Sequence, residues 1–179
     1  DGLAVTAYKG QLQLLTEDAF AICMWWLPKV AAAGTDRYFS TELATNTEGR
    51  FQRDNAAGEY GVTLFGTSSL TAQHTGFSDG VRHSLVIVAD NQDTGGAGDG
   101  WSWIDKTDQQ QDALYSALHG GNPDMIRLGG KATTGTNGAA DTFGPFCLLD
   151  LSSAGTVDQA MREGIRDAWH DADMNFETF

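Results

Sequence analysis

Around one glycine-rich loop the chain gathers residue types that hold cations and sugars: Asp90, Asn91, Asp93, Asp99, Asp105 and Asp108, with Trp101 and Trp103 among them. Calcium takes about six to eight oxygen ligands, so a loop this rich in carboxylates could bind Ca2+, with Asp90, Asp93 and Asp105 as the first ligands to consider. The spacing is not that of an EF-hand, and the same acids would also serve as an ordinary solvated loop. Trp101 and Trp103 stand two residues apart, so on a strand both rings leave the same face. Indoles stack on the apolar C–H faces of sugars while nearby Asp and Asn bind hydroxyls. Trp101, Trp103, Asp99 and Asn91 are therefore the candidate glycan-binding set. Core packing is the alternative for at least one of the rings.

Other chemistries find less in the chain. A retaining glycosidase needs two carboxyl groups about 5 to 5.5 Å apart, which alternate positions on a strand supply. The glutamates are Glu17, Glu42, Glu48, Glu59, Glu163 and Glu177, and none has an acidic partner two residues on within a strand-like segment. His74, His83, His119 and His170 are dispersed, with no H-E-x-x-H and no helical pair, so zinc has little support. No G-x-S-x-G surrounds Ser152 or Ser153. The segment TGGAGDG lacks the Lys-Ser/Thr of a phosphate loop and reads as a flexible hairpin before a strand. An enzyme is not expected, and a polysaccharide-active enzyme with an unrecognised site stands third among the readings of function.

The scaffold that must position these residues is written in the composition and periodicity. With 179 residues the chain fits one domain, and 24 Asp+Glu against 11 Lys+Arg give a formal charge of −13. That field repels phosphate backbones and anionic membranes, so nucleic acid is not an expected partner, and membrane insertion is not expected because no apolar run approaches the roughly 20 residues that span a bilayer. The longest clear apolar run, Leu85 to Ala89, has the length of a strand. The sequence begins at Asp1 with no Met and no basic-plus-apolar leader, so either any signal was removed earlier or the sequence is trimmed. Cys23 and Cys147 are too few for a disulfide scaffold, and two free buried thiols are the expectation from composition.

Period-two alternation recurs in Leu3 to Tyr8, Gln11 to Leu15, Phe20 to Leu27, Arg37 to Leu43, Tyr60 to Phe65 and Val81 to Ala89. It returns in WSWID, ALYSAL, MIRLGG and FCLLDL, with turn-rich pieces at Asn55 to Gly58, Thr94 to Gly100, His119 to Pro123 and Gly129 to Ala140. This is the pattern of an all-β sandwich or jelly roll. Near the end, Thr156 and Gln159 have capping-box spacing ahead of Val157, Ala160, Met161, Ile165, Ala168 and Trp169, which follow helical spacing. Gly164 weakens that helix by about 1 kcal/mol relative to Ala, so docking its apolar stripe on the sandwich must hold it. Terminal arms are expected at about 1–13 and 174–179, the second carrying Phe176 and Phe179.

The order of these segments resembles the laminin-G-like, concanavalin-A-like β-sandwich. The resemblance rests on Asp79-Gly80-Val81-Arg82-His83 ahead of Leu85 to Val88, then Trp103-Ile104-Asp105-Lys106, then Ile126-Arg127-Leu128-Gly129-Gly130. Phe143 to Leu151 and the capped helix close it. Arg82 stands where the family has Trp, and Lys106 where it has Gly. The resemblance implies an antiparallel jelly roll with one short C-terminal helix, and a domain that binds rather than catalyses. It also implies that Cys23 and Cys147 lie on neighbouring strands, where a disulfide would contribute up to roughly 5 kcal/mol in the chain-entropy model. Polysaccharide lyases on related sandwiches pair His with Tyr, and His74 after Gln73 is the nearest local candidate, without a matching Tyr-Lys strand.

Two readings of function follow. The first is a surface-displayed module, extracellular in setting, that binds a glycan or a surface protein. The second is a structural decoration protein on a virion shell, where an acidic exterior, terminal arms and a homo-oligomer would suit assembly.

Overall fold

The structure is a computed structural model, and it describes residues 19–27, 37–42, 48–53, 59–63, 72–77, 80–90, 97–116, 125–128, 142–155 and 157–172. Ten strands and one α-helix fall in these residues: β1 Ala19–Leu27, β2 Arg37–Glu42, β3 Glu48–Arg53, β4 Glu59–Thr63, β5 Ala72–Thr75, β6 His83–Asp90, β7 Ala97–Ile104, β8 Asp108–Ser116, β9 Met125–Leu128, β10 Thr142–Asp150 and α1 Gln159–Asp171. They form two five-stranded antiparallel sheets, β10-β1-β6-β7-β8 (sheet A) and β5-β4-β3-β2-β9 (sheet B). The expected all-β sandwich with one C-terminal helix is the fold observed. The expected strands at Leu3 to Tyr8 and Gln11 to Leu15, and both terminal arms, lie outside the described residues.

Two strands had no apolar alternation to announce them. β3 reads EGRFQR and β5 reads AQHT, so each offers the core one large residue, Phe51 and His74, between polar ones. The glycine-rich piece expected to be a hairpin is instead partly strand. Ala97-Gly98-Asp99-Gly100 extends β7, with a register irregularity between Gly98 and Gly100, because pairing with β8 satisfies its backbone.

Sheet A is buried on both faces, which is why β1 and β6 are buried almost end to end. Its inner face meets sheet B through Trp26, whose ring lies 5.1 Å from Phe51 and 6.0 Å from Tyr60, centroid to centroid. Its outer face carries Ala19, Ala21, Cys23, Val86, Val88, Trp101 and Trp103, and on these pack Met161, Ile165 and Trp169 of α1. The adjacent pair Trp25 and Trp26 therefore divides between the two faces, as strand alternation requires. Trp25 stacks on His170 of the helix, while Trp26 enters the inter-sheet core.

The helix starts later than its capping-box spacing suggests. Asp158 is the N-cap, and its carboxylate accepts the Met161 N–H at 2.8 Å. The docking expected to hold α1 is present: Val157 is buried at its entrance, and the Trp169 indole N–H donates to the Met24 carbonyl at 3.3 Å.

Candidate functional site

The loop that gathers the acids is split by its own strands. Asp90 ends β6, while the Asp105 N–H donates to the Ser84 carbonyl near the opposite end of that strand, roughly 20 Å away at the rise of a β-strand. Asp90 and Asp105 therefore cannot ligate the same calcium ion. Each described acid has other work. The Asp90 carboxylate accepts the Val157 N–H at 3.2 Å, and Asp105 accepts the Ser84 N–H at 3.0 Å and pairs with His83 Nδ1 at 2.9 Å. Burial alone would raise the Asp105 pKa, but its hydrogen bonds to His83 and the Ser84 N–H hold the carboxyl below the usual range. Among the described residues no three His, Cys, Asp or Glu side chains converge as a metal site. Asn91 and Asp93 lie outside the described residues, and Asp99 is placed only by register, opposite Asp90.

Trp101 and Trp103 do leave one face of β7, but α1 closes it. They are 6% and 1% exposed, and the Arg162 guanidinium sits 3.8 Å from the Trp101 ring centroid. No indole face remains open for a sugar to stack on. Strand spacing put the rings on one face, and whether that face was platform or core depended on a helix more than fifty residues further on, whose docking spacing alone cannot see.

The inner face of sheet A holds a polar cluster that sequence reasoning left dispersed. His74 on β5 reaches across the sandwich, with Nδ1 2.7 Å from Asp108 Oδ2 and Nε2 2.9 Å from Ser102 Oγ. A carboxylate only accepts, so Nδ1 carries the proton, and neutral Nε2 then accepts from the Ser102 hydroxyl. Burial pushes the His74 pKa down, and the Asp108 hydrogen bond only partly opposes it, so the ring is neutral at pH 7. Ser–His–Asp in this order is the arrangement that activates a nucleophile. Here Ser102 is 2% exposed and His74 fully buried, so no substrate reaches the hydroxyl. The chemistry available to the cluster is structural: it pins sheet B to sheet A where β5 lies over β8.

The second position of note is on sheet B. Its inner face is the one that Phe51, Tyr60 and His74 occupy. By register, two rows of residues cross the opposite, outer face. One runs Gln73, Gly61, Gln52, Arg37 over β5, β4, β3 and β2, and the next runs Thr63, Arg50, Ser40, Arg127 over β4, β3, β2 and β9. Three of the chain's 11 basic residues thus share two rows about 7 Å apart along β3, with a register irregularity on β2 between Arg37 and Phe39, and Glu48 and Glu42 pair in the row beyond Arg50 and Ser40. Among the described elements, the one helix packs on sheet A rather than on this face. Sequence reasoning missed the rows because β3 lacked an alternation signal, and Arg37, Arg50 and Arg127 are far apart in the chain.

Cys23 and Cys147 are register partners on β1 and β10, so the neighbouring strands implied by the resemblance are present. Both are free thiols in the structure rather than a disulfide. Burial pushes the Cys23 thiol up to about 12, with Cys147 beside it adding to the shift, and the Cys147 thiol donates to the Leu148 carbonyl at 3.8 Å. Both line an apolar cleft of about 410 Å³ between sheet A and α1, together with Leu149, Met161, Ile165 and Trp169.

No protein-family model and no curated protein matches the chain. Solved structures match by fold. The CBM40 module of Ruminococcus gnavus IT-sialidase is 15% identical, with 92% of this chain and 91% of that one covered and a TM-score of 0.59. The same module bound to alpha2,3 sialyllactose matches with a TM-score of 0.54 and 15% identity over 83% of each chain. Trypanosoma rangeli sialidase in complex with sialic acid matches with a TM-score of 0.64 at 12% identity, covering 90% of this chain. The chain spans only 24% of that sialidase. At these identities the likeness establishes a β-sandwich shared with carbohydrate-binding modules.

Proposed function

We propose that this chain is a non-catalytic module that binds acidic glycans through the outer face of sheet B. The observation that carries the reading is the pair of rows holding Arg37, Arg50 and Arg127 in a chain of net charge −13. A surface this acidic turns anions away in general, so a local group of guanidinium-bearing residues is where a carboxylated sugar would be selected. Guanidinium pairs bidentately with carboxylate, which gives both energy and orientation. Gln52 and Gln73 stand in the same row as Arg37, on either side of Gly61, and an amide of this kind can donate to and accept from sugar hydroxyls. Likeness to a module bound to alpha2,3 sialyllactose supports a sialic-acid-bearing ligand. Such a module works outside a cell, where glycans are displayed.

Calorimetric titration of the purified chain with alpha2,3-sialyllactose and with lactose tests this. Sialyllactose is expected to bind and lactose not to, since lactose lacks the carboxylate. Removing one charged hydrogen-bonding group, as in Arg50→Ala or Arg127→Ala, is expected to weaken binding roughly tenfold to a hundredfold with the circular dichroism unchanged. Equal heats for the two sugars, or wild-type affinity in both variants, would remove sheet B as the site.

A further inference from the structure

We propose that Cys23 and Cys147 form a redox-responsive dithiol, oxidised to a cross-strand disulfide by a low-molecular-weight disulfide that enters through the cleft beside α1. The geometry follows from the register. The Leu151 N–H donates to the Ala19 carbonyl at 3.0 Å, which marks Ala19 and Leu151 as a hydrogen-bonded pair of the β1–β10 ladder. Such pairs recur every second residue, so Ala21–Leu149 and Cys23–Cys147 are hydrogen-bonded pairs as well. Their Cα atoms then stand about 5.5 Å apart, inside the disulfide range of roughly 4.4 to 6.8 Å. The Cβ atoms of this pair type stand near 5 Å, whereas a disulfide wants roughly 3.5 to 4.5 Å. Closing the bond draws β1 and β10 together, and a bond held under that tension is easier to reduce than a relaxed structural one.

The two thiols have different access. Cys23 is 1% exposed, while Cys147 is only partly buried, and both line the cleft. Gly164 on the cleft wall has nothing within 4 Å of where a Cβ would sit, so the helix side of the mouth is open. Cys147 is therefore the entry point. Its thiolate attacks one sulfur of glutathione disulfide, breaking that S–S bond and expelling a glutathione thiolate, which takes up a proton. Cys23 then gives up its proton, attacks the Cys147 sulfur of the mixed disulfide and expels the second glutathione. Two protein thiols and one glutathione disulfide become one protein disulfide and two glutathione thiols, with no further oxidant. The new bond ties β1 to β10, the strand that leads through the Ser152–Ala154 turn into α1.

The test exposes the folded full chain to glutathione disulfide, quenches with acid and measures intact mass without reductant. Wild type is expected to lose two hydrogens as a monomer and to regain them in reduced glutathione. Cys23→Ser is expected to stop as a single glutathione adduct on Cys147, and Cys147→Ser to stay unmodified. Cys23→Ala and Cys147→Ala, with circular dichroism, repeat the comparison should a serine disturb the buried face. Persistent free thiols in wild type, an adduct that never closes, a product that resists reduced glutathione, or an adduct on Cys23 in the Cys147 variants would each overturn the proposal.

Discussion

Replacing His74 with Phe is the sharpest probe of what holds the two sheets in register. Phe keeps most of the ring's volume but cannot bond to either partner, so the change isolates the hydrogen bonds. Two are lost: Nε2 to Ser102 at 2.9 Å and Nδ1 to Asp108 at 2.7 Å. Ser102 is 2% exposed, and its hydroxyl, left without His74 in the core, costs about 1–3 kcal/mol. The Asp108 side chain is 30% exposed and regains water, so its share falls to the low end, about 1 kcal/mol. The expected destabilisation is about 2–4 kcal/mol, or roughly 4 to 16 °C in Tm for a domain of this size. Urea unfolding at pH 7.5 measures the first figure, and the same experiment on His74→Phe with Ser102→Ala should recover the serine share. The acid limb gives an independent reading. Because the folded His74 pKa lies below the ordinary 6.5, the unfolded chain binds the proton first. Wild type therefore loses stability as pH falls below about 6.5, until the folded pKa is passed, and the Phe variant lacks that component. A Phe variant within about 0.5 kcal/mol of wild type, with the same acid limb, would refute the cross-sheet pin.

Trp101→Ala should lower stability by about 3–5 kcal/mol in chemical unfolding, because the ring is core beneath α1 rather than a sugar platform. A folded variant of near wild-type stability that lost only glycan binding would reverse that assignment. Asp158→Ala removes the acceptor of the Met161 N–H and should cost about 1 kcal/mol, read as a lowered Tm. Gly164→Ala should instead raise stability by about 0.4–1 kcal/mol, since the exposed helical glycine meets nothing where a methyl would go. Asp105→Asn should weaken the chain most above the ordinary carboxylate pKa. There the native carboxylate contributes stability, and titrating wild type down through the folded pKa should bring the two proteins together.

The class of fold was legible in the chain. Strand-length segments such as Phe20 to Leu27 and Val81 to Ala89, set off by turn-rich pieces, mark an all-β domain, and the apolar spacing of Met161, Ile165 and Trp169 marks a helix that must dock. Spacing of two also fixed that Trp101 and Trp103 share a face. Local pattern ends there, because it carries no information about what lies against a face. That α1 covers those indoles, and that the strands of one hairpin hold Asp90 and Asp105 apart, follows from how the elements pack. Equally, His74, Ser102 and Asp108, drawn from β5, β7 and β8, meet only because the two sheets stack. The arginine rows follow the same logic. Arg50 and Arg127 lie far apart in the chain, and it is the β3-β2-β9 pairing of sheet B that sets both beside Ser40. Alternation along one strand is a short-range property of the backbone, whereas neighbours across strands and sheets are chosen by pairing and packing of the whole chain.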